Sequence, residues 1–304
     1  MSVGQDDTLI QFRDEAALIR HPRILPSLLP RVSCPPRAGV FDMAQETPDT
    51  TGQAVPKHFT SGPVVPCPFP TVTAAIRHAV NTHPDAIAAI DLSQAVRREI
   101  SYAQLETRAR CLAQRLRAAG VAPGDRVPLV VKRGIEMLVG IYAILLCGAQ
   151  YVPLDGGIVP EATLQTVISQ SGGGWVVCTG STKNRFTKAD SVAVRGCRLL
   201  CMEDDGGEGE AEEFDLATPE GGCYVIYTSG LYKCRRIKDQ RADVRPGTTG
   251  TPKGVDVTHA NVTNLLCTSP GNLGIQPGMK VGQVLNISFD MGTSWSFWPR
   301  LGCG

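Results

Sequence analysis

The sequence predicts an α/β fold in which parallel-rich sheets are flanked by helices. Short apolar runs typical of buried strands alternate with segments of helical periodicity, which is the pattern of parallel α/β architecture. Hydrophobic residues make up 42% of the 304 residues and charged residues 19%. The chain can therefore bury a sizeable core, and its composition is not that of a disordered tail.

The first predicted elements begin near residue 71. Apolar residues at helical spacing predict a helix from Thr71. His83-Pro84 ends it, because the residue before a proline disfavours helical geometry. Ala86–Leu92 is predicted to be a buried strand and Glu99–Tyr102 a second short strand.

The next helix has both of its end signals in the sequence. Ser101 is predicted to cap a helix that runs to Ala119 and stops at Gly120. The remaining predicted elements are a strand at Val127–Val131, a buried helix at Ile135–Cys147, and strands at Gln150–Leu154, Trp175–Cys178, Cys197–Met202 and Cys223–Tyr227.

Charge and cysteine usage exclude several classes of partner. Thirty Lys and Arg against 29 Asp and Glu give a net charge of +1, so no global field attracts nucleic acid or anionic membrane. The start of the chain is acidic, unlike a signal peptide, and the most apolar stretch, Ile135–Cys147, is too short to span a bilayer. The eleven cysteines are dispersed, and even the closest pair, Cys197 and Cys201, lacks zinc-site spacing. We expect reduced thiols, no metal site and a cytoplasmic protein.

Two domains are predicted along the chain. Residues 1–62 are rich in proline and lack sustained periodicity, so they form an N-terminal extension that is largely irregular. Residues 63–304 form the folded domain. Within it, the acidic run Glu203–Glu213 is predicted to be a solvated loop.

One stretch has the composition of a polyphosphate site. The strand CYVIYTSG is followed, after seventeen residues, by TTGTPKGV. Hydroxyl and backbone N–H donors together with one mobile cation suit a chain of phosphates. The Walker A pattern is absent, and a flexible loop is the other interpretation of such a composition. The candidate residues are Thr228, Ser229, Gly230, Thr248, Thr249, Gly250, Thr251, Lys253 and Gly254.

Joined together, the two pieces read YTSGTTGTPKGV, which resembles the phosphate-binding signature of adenylate-forming enzymes. The form is that of adenylation domains of nonribosomal peptide synthetases. Other segments resemble further motifs of the family in the family's order: Ile100–Leu116, Leu145–Asp155, His259–Leu266 and Asn286–Gly292. Of these, His259–Leu266 resembles the helix after the phosphate loop, and we expect His259 to have a structural role near the start of that helix. The resemblance covers residues 63–304 and implies the N-terminal subdomain of an adenylate-forming enzyme.

The resemblance implies a reaction and a set of site residues. A carboxylic acid attacks the α-phosphorus of Mg-ATP, and the acyl group of the acyl-AMP then passes to the phosphopantetheine thiol of a carrier protein. The nine candidate residues would hold the β- and γ-phosphates. Asp290 matches the acid that pairs with a substrate α-ammonium group, which favours an α-amino acid; a helix N-cap is its alternative role. Trp295 is a candidate lining residue of the substrate pocket, with core packing as the alternative.

The phosphate signature is interrupted by Leu231–Gly247, which carries six basic and two acidic residues, a net charge of +4. Seventeen codons are 51 nucleotides (17 × 3), the length of a short intron. Gly230-Leu231-Tyr232 can be encoded with a donor site, Ala242-Asp243 with a branch site and Pro246-Gly247 with an acceptor. We interpret the insertion as a translated retained intron; a genuine insertion is the alternative.

The family's later motifs, including the lysine that polarises the reacting carboxylate, would follow Gly304. We therefore expect the 304-residue product to be incomplete, poorly soluble and inactive. Two other functions stay open at this point: a fragment of an acyl- or aryl-CoA ligase, and a non-catalytic binding protein whose basic insertion contacts an anionic partner.

Overall fold

The computed structural model describes residues 10–12, 66–93, 96–186, 196–204, 212–228, 253–268, 271, 273, 275 and 278–288. All of them except Pro66 belong to one compact unit, made of Met1–Asp14 and Cys67–Gly304. A second unit, Glu15–Pro66, lies outside the described residues apart from Pro66. The division into an extension of residues 1–62 and a folded domain stays a prediction.

The strands are β1 (Ile10–Phe12), β2 (Ile87–Asp91), β3 (Arg98–Ser101), β4 (Arg126–Val131), β5 (Gln150–Asp155), β6 (Trp175–Cys178), β7 (Arg198–Cys201), β8 (Gly222–Thr228), β9 (Lys253–Thr258) and β10 (Val281–Gln283). The helices are α1 (Val72–Thr82), α2 (Tyr102–Ala118), α3 (Ile135–Leu146), α4 (Glu161–Ser171), α5 (Gly180–Lys183) and α6 (His259–Cys267).

The strands form two sheets that are both rich in parallel pairs. The larger sheet has the order β7-β6-β4-β5-β8-β9, and only its last pair, β8 with β9, is antiparallel. The smaller sheet has the order β10-β1-β2-β3, with β2 and β3 antiparallel. The predicted fold class, parallel-rich sheets flanked by helices, is confirmed.

Helices cover both faces of the larger sheet. Val127, Leu129 and Val131 of β4 face the cluster that contains α1, α2 and α3, whereas Val130 faces the cluster that contains α4. A strand buried on both faces needs apolar side chains at successive positions. This explains why the central strands read as continuous apolar runs in the sequence.

Local signals in the sequence fix the ends of α2. Ser101 Oγ accepts a hydrogen bond from the Gln104 N–H at 3.2 Å, and the Gln104 side chain accepts one from the Ser101 N–H at 2.9 Å. This reciprocal pair satisfies two of the backbone donors that a helix start leaves free. The predicted cap is confirmed, and the helix ends one residue before the predicted Ala119.

The sequence pattern misses α4, α5, β9 and β10, and it misses the strand β1 inside the predicted extension. Helix α4 follows Pro160, which makes no side-chain cap, so its start carries no polar signal. Strand β9 is exposed at its first four positions and carries no apolar run. Strands β1 and β10 are three residues each, too short for a period to show.

Arg98 links the smaller sheet to the start of α3. Its guanidinium contacts Asp91 Oδ2 at 2.5 Å and Glu136 Oε1 at 2.9 Å. Burial raises the pKa of Asp91, but hydrogen bonds from Ser93 and Arg98 lower it more, so its net pKa lies below the ordinary value. At Glu136 burial also raises the pKa, but the hydrogen bond and charge of Arg98 lower it, and the net pKa again lies below the ordinary value. Both carboxylates are therefore charged at neutral pH.

None of the described helices combines the length and apolar character that crossing a lipid bilayer requires. The eight cysteines among the described residues are free thiols. Within the same part of the chain, no three His, Cys, Asp or Glu side chains are grouped so that they could hold a metal ion.

Candidate functional site

The carboxyl ends of the parallel strands meet at one edge of the larger sheet. Strands β4, β5 and β8 end there at Val131, Asp155 and Thr228. Ligands of open α/β sheets bind at the carboxyl ends of the strands, where loops converge and helices begin. We therefore take this edge as the candidate site.

The hairpin of β8 and β9 opens at this edge and brings the two halves of the interrupted signature together. Thr228, the last residue of β8, pairs with Lys253, the first residue of β9, and Tyr227 pairs with Gly254. Thr228, Lys253 and Gly254 are thus adjacent, although 24 residues (229–252) separate the two strands in sequence. The other predicted phosphate-binding residues lie outside the described residues: Ser229, Gly230, Thr248, Thr249, Gly250 and Thr251.

Lys253 has the environment that a phosphate-binding cation requires. Lys253 is exposed to solvent at the open end of the hairpin. It forms no ion pair with any carboxylate in the described part of the chain. The nearest acid on its own strand is Asp256, which is engaged by Arg126 at 3.1 Å. The Lys253 ammonium is therefore available to an incoming anion.

Gly254 is required by the close approach of a tyrosine. A Cβ at Gly254 would lie 3.2 Å from Tyr227 Cζ and 3.0 Å from Val225 Cγ1. Tyr227 is buried, and burial raises the pKa of its phenol. Val225 and Tyr227 thus leave little room for a side chain at Gly254.

The other end of β9 is held by polar contacts at the start of α6. Thr258 Oγ1 accepts from the Asn261 N–H at 3.2 Å, in a capping box. His259 Nδ1 accepts from the Val72 N–H at 3.2 Å, and the backbone N–H of His259 donates to the Gly221 carbonyl at 3.0 Å. Burial lowers the pKa of His259 to about 4, so the imidazole is neutral. The predicted structural role of His259 is confirmed.

The middle of β9 is tied to the first residues of β4 and β5, beyond its neighbour β8. Asp256 accepts from the Arg126 guanidinium at 3.1 Å and from Gln150 Nε2 at 3.2 Å. Together with the anchored α6 end, these contacts fix the base of the hairpin. Its mouth at Thr228 and Lys253 faces the candidate site.

The segment before Asp290 is anchored at the same edge of the sheet. Ser288 Oγ donates to the Pro153 carbonyl of β5 at 3.3 Å, and Arg133 Nη1 donates to the Val284 carbonyl at 2.6 Å. Ile287 is buried in the main core. Asp290 and Trp295 themselves lie outside the described residues, so their roles stay predictions. Sequence reasoning missed Arg133 and Ser288, because only the three-dimensional structure shows which carbonyls they reach.

Comparison with known proteins identifies the family to which this chain belongs. The model of the family described as AMP-binding enzyme matches residues 76–230. "Adenylate-forming reductase 03009" of Coprinopsis cinerea is 37% identical over 241 residues, which are 79% of this chain and 21% of that protein. "Tyrocidine synthase 3" of Brevibacillus parabrevis is 30% identical over 232 residues, 76% of this chain and 3% of that protein. The chain thus spans about a fifth of the length of the reductases that it matches.

Solved structures show the same fold. The nonribosomal peptide synthetase FmoA3 in its α-methyl-L-serine-AMP-bound form matches with a TM-score of 0.62 and 23% identity, over 79% of this chain and 24% of that one. The N-terminal subdomain of Klebsiella oxytoca NpsA matches with a TM-score of 0.58 and 20% identity, over 76% and 53%. With the ordered motifs and the paired signature strands, these findings show that the chain belongs to the family of AMP-binding enzymes and contains part of an adenylation domain of the adenylate-forming superfamily.

Proposed function

We propose that this chain supplies the triphosphate-binding part of an enzyme that activates a carboxylic acid as its acyl-AMP. One observation carries the proposal: the in-register pair of Thr228 and Lys253 joins the two halves of the interrupted signature at the carboxyl edge of the sheet. Family membership supports the same activity. The proposal also places the enzyme in the cytoplasm, where ATP is available.

The proposed chemistry is nucleophilic displacement at phosphorus. A carboxylate oxygen of the substrate attacks the α-phosphorus of Mg-ATP, the bond to the β-phosphate oxygen breaks, and pyrophosphate leaves. The role of Lys253 and the loop donors is to hold the β- and γ-phosphates and to offset the charge that the leaving pyrophosphate gains. Mg²⁺ enters as part of the nucleotide substrate.

An α-amino acid is the proposed substrate class. The anchoring of Ser288 and Ile287 beside the carboxyl end of β5 supports a position for Asp290 near the site. A carboxylate in such a pocket favours a cationic partner, because an unpaired buried charge is costly. In the chimera with the Coprinopsis cinerea reductase described below, Asp290→Ala is expected to abolish pyrophosphate exchange with amino acids and to spare exchange with acids that lack an ammonium group.

The acyl group has two proposed fates. Similarity to synthetases of 28 to 32% identity supports transfer to a carrier-protein thiol, which belongs to phosphopantetheine on a carrier domain. The 37% identity to two proteins named adenylate-forming reductases favours, as a second candidate, an enzyme in which activation is followed by reduction of the acyl group. The two fates share the adenylation step and differ in the released product.

In this proposal the inserted residues 231–247 are not part of the phosphate site. The family match ends at residue 230, immediately before the insertion. Strand pairing resumes with Lys253 opposite Thr228, as a short uninterrupted loop would require. This supports the hypothesis of a translated retained intron, which transcript reads across these codons would test directly: spliced transcripts that still encode the seventeen residues contradict it.

Nucleotide binding tests the phosphate site without requiring turnover. We expect the variant that lacks residues 231–247 to bind Mg-ATP at least tenfold more tightly than the 304-residue chain, because the donors of the signature become contiguous. Isothermal titration calorimetry measures the difference, with circular dichroism to show that both proteins are folded. A folded deletion variant that does not bind Mg-ATP would contradict the proposal.

Pyrophosphate exchange tests the reaction itself. We expect no ATP-dependent exchange from the 304-residue chain with any common amino acid. A chimera in which residues 67–304, without 231–247, replace the matching region of the Coprinopsis cinerea reductase is expected to catalyse exchange. Exchange by the unmodified chain, or a folded chimera without exchange with any acid, would each overturn part of the proposal.

A further inference from the structure

We propose that Cys178 and Cys201 form a reversible disulfide when the folded chain meets a peroxide. This thiol pair is a redox modification site at the β6–β7 end of the larger sheet. Three strands, β4, β5 and β6, lie between β7 and the hairpin of the phosphate site.

The register of two strands places the thiols opposite each other. Cys178 is the last residue of β6, Cys201 is the last residue of β7, and the two are paired in a parallel ladder. Paired residues of neighbouring strands have Cα atoms about 4.8 Å apart. A disulfide needs a Cα separation of roughly 4.4 to 6.8 Å, so the backbone already meets this condition.

Both side chains lie on one face of the sheet. Cys178 and Cys201 belong to the same buried cluster, on the side of the sheet that α4 covers. Coupling to Cys201 is one cause, after burial, that raises the pKa of the Cys178 thiol. Strand β7 pairs with β6 alone among the described strands, and Arg115 holds its end by donating to the Cys201 and Met202 carbonyls at 2.8 and 3.0 Å. The two side chains, rather than the backbone, therefore make the approach that an S–S bond needs.

The Cys201 thiol is hydrogen-bonded to a carboxylate. Burial and this carboxylate raise the pKa of the Cys201 thiol, so it stays protonated at neutral pH and reacts slowly with peroxide. Cys201 Sγ donates to Glu203 Oε2 at 3.2 Å, and the same oxygen accepts from the Gly180 N–H at 2.9 Å. Lys183 is held beside this group by Asp204, at 2.7 Å. Cys201 is 3% exposed and Cys178 is 0% exposed, so Cys201 is the thiol that an oxidant reaches first.

The proposed oxidation balances with one equivalent of hydrogen peroxide. The Cys201 sulfur attacks one peroxide oxygen, the O–O bond breaks, and the products are a sulfenic acid and water. The Cys178 sulfur then attacks the sulfenic sulfur, the S–O bond breaks, and a second water leaves with the thiol proton. Two thiols have lost two electrons, and a dithiol reductant restores them by thiol–disulfide exchange.

Cys197 is a control for this proposal, because it lies close to Cys201 in sequence but cannot form a disulfide with it. It lies four residues from Cys201, about 13 Å along an extended strand, which is too far for a disulfide. Its Sγ donates to the Gly173 carbonyl at 3.4 Å, where no thiol faces it. The pair that is closest in sequence is therefore not the pair that is closest in the fold.

Mass spectrometry of the native chain tests the proposal directly. The chain is treated with hydrogen peroxide, the remaining thiols are blocked with N-ethylmaleimide, and the protein is cut with trypsin and an endoprotease specific for glutamate. We expect the peptide Ala162–Lys183, which contains only Cys178, linked to Leu199–Glu203, which contains only Cys201. Dithiothreitol is expected to release both peptides.

Variants and a stability measurement complete the experiment. Cys201→Ser and Cys178→Ser are expected to abolish the linked peptide, with Cys201→Ala and Cys178→Ala as alternatives if either serine variant unfolds; Cys197→Ser is expected to retain it. The oxidised chain should melt about 5 °C above the reduced chain, because the cross-link restrains the unfolded state. Oxidation of other thiols in the folded protein without this link, or the same link at equal yield in 8 M urea, would overturn the proposal.

Discussion

Strands β8 and β9 form one hairpin, yet they are stabilised in different ways. Every residue of β8 from Cys223 to Tyr227 is buried, whereas the residues of β9 from Lys253 to Asp256 are exposed. Strand β8 is held by packing on both faces of the sheet. Strand β9 is held by its backbone pairing, by the polar contacts of Asp256 and by the anchored start of α6.

Because of this difference, we expect substitutions in buried strands and in β9 to affect different properties of the protein. Burying a large apolar side chain contributes about 1.5 to 3 kcal/mol. Exposed positions without special contacts usually change stability by less than about 0.5 kcal/mol. Substitutions in the central strands should therefore change the free energy of unfolding, and substitutions on β9 should change nucleotide binding.

The largest expected effect is on the core side of this comparison. Leu129 of β4 is fully buried, and its Cδ1 would lie 2.7 Å from a Cβ placed at Gly140 of α3, so helix and sheet are in close contact. Leu129→Ala is expected to lower the free energy of unfolding by about 2 to 5 kcal/mol through lost burial and a cavity. Urea unfolding followed by circular dichroism measures the change.

Val255→Ala on β9 is the matched control, because Val255 is 49% exposed. Its free energy of unfolding should change by less than about 0.5 kcal/mol. Equal losses in the two variants would show that the buried strand β4 and the exposed strand β9 are stabilised in the same way, and would remove the distinction between core and exposed strands.

The second prediction concerns pH and the anchored end of β9. The pKa of His259 is about 4 in the folded chain against an ordinary 6.5, so the unfolded chain binds this proton first as the pH falls. The contribution is fully present above pH 6.5 and is lost as the pH falls towards 4, by about 3 kcal/mol. His259→Asn keeps an acceptor for the Val72 N–H but does not titrate, and it should flatten the stability profile between pH 6.5 and 4.5.

Two other buried acids do not interfere with this test. The pKa values of Asp91 and Glu136 lie below their ordinary values of 3.8 and 4.5, so their contributions are lost only at lower pH. Denaturant unfolding at pH 4.5, 5.5, 6.5 and 7.5 gives the two profiles. If the wild-type chain and His259→Asn lose stability equally over this range, the neutral imidazole is not the cause.

The third prediction concerns the mouth of the hairpin. Lys253→Ala, in the chain without residues 231–247, is expected to weaken Mg-ATP binding by about 10- to 100-fold, since one charge-assisted contact contributes about 1.5 to 3 kcal/mol. Its melting temperature should not change. Lys183→Ala removes an exposed lysine paired with Asp204 and should leave binding unchanged. Calorimetric titration of both variants decides whether Lys253 acts specifically.

The sequence predicts the buried helices and central strands better than it predicts the exposed strand β9. Continuous apolar runs and the Ser101 cap locate α2, α3 and the central strands within one or two residues of their observed ends. These signals are local, because a strand that is buried on both faces must be apolar throughout. Strand β9 has no such pattern, and its place follows only from pairing with β8.

The candidate site shows the same limit of sequence reasoning. Composition and family resemblance predict Lys253 and Gly254 as phosphate-binding residues without any structure, and that role stays a prediction. The contact of Ser288 with the Pro153 carbonyl, and the pairing of Cys178 with Cys201, join residues that are 135 and 23 positions apart. Such contacts depend on strand order, which no local pattern in the sequence specifies.

The smallest expected effect is at Gly254, which is tightly packed and is also a predicted phosphate-binding residue. A methyl group there would lie 3.0 to 3.2 Å from Val225 and Tyr227, so the Tyr227 ring must move by a few tenths of an ångström. Gly254→Ala is expected to lower the free energy of unfolding by about 1 kcal/mol, at the low end of overpacking costs. Urea unfolding at neutral pH is the measurement.

Gly282→Ala on β10 is the matched control, because a Cβ at Gly282 meets nothing within 4 Å. Both substitutions remove the same backbone freedom from the unfolded chain, which by itself stabilises by about 0.4 to 1 kcal/mol. A destabilised Gly254→Ala beside a neutral or stabilised Gly282→Ala would assign the loss to the contacts with Val225 and Tyr227. If the two variants behave alike, the tyrosine ring adapts freely, and the glycine in the signature is then explained by the approach of phosphate rather than by packing within the hairpin.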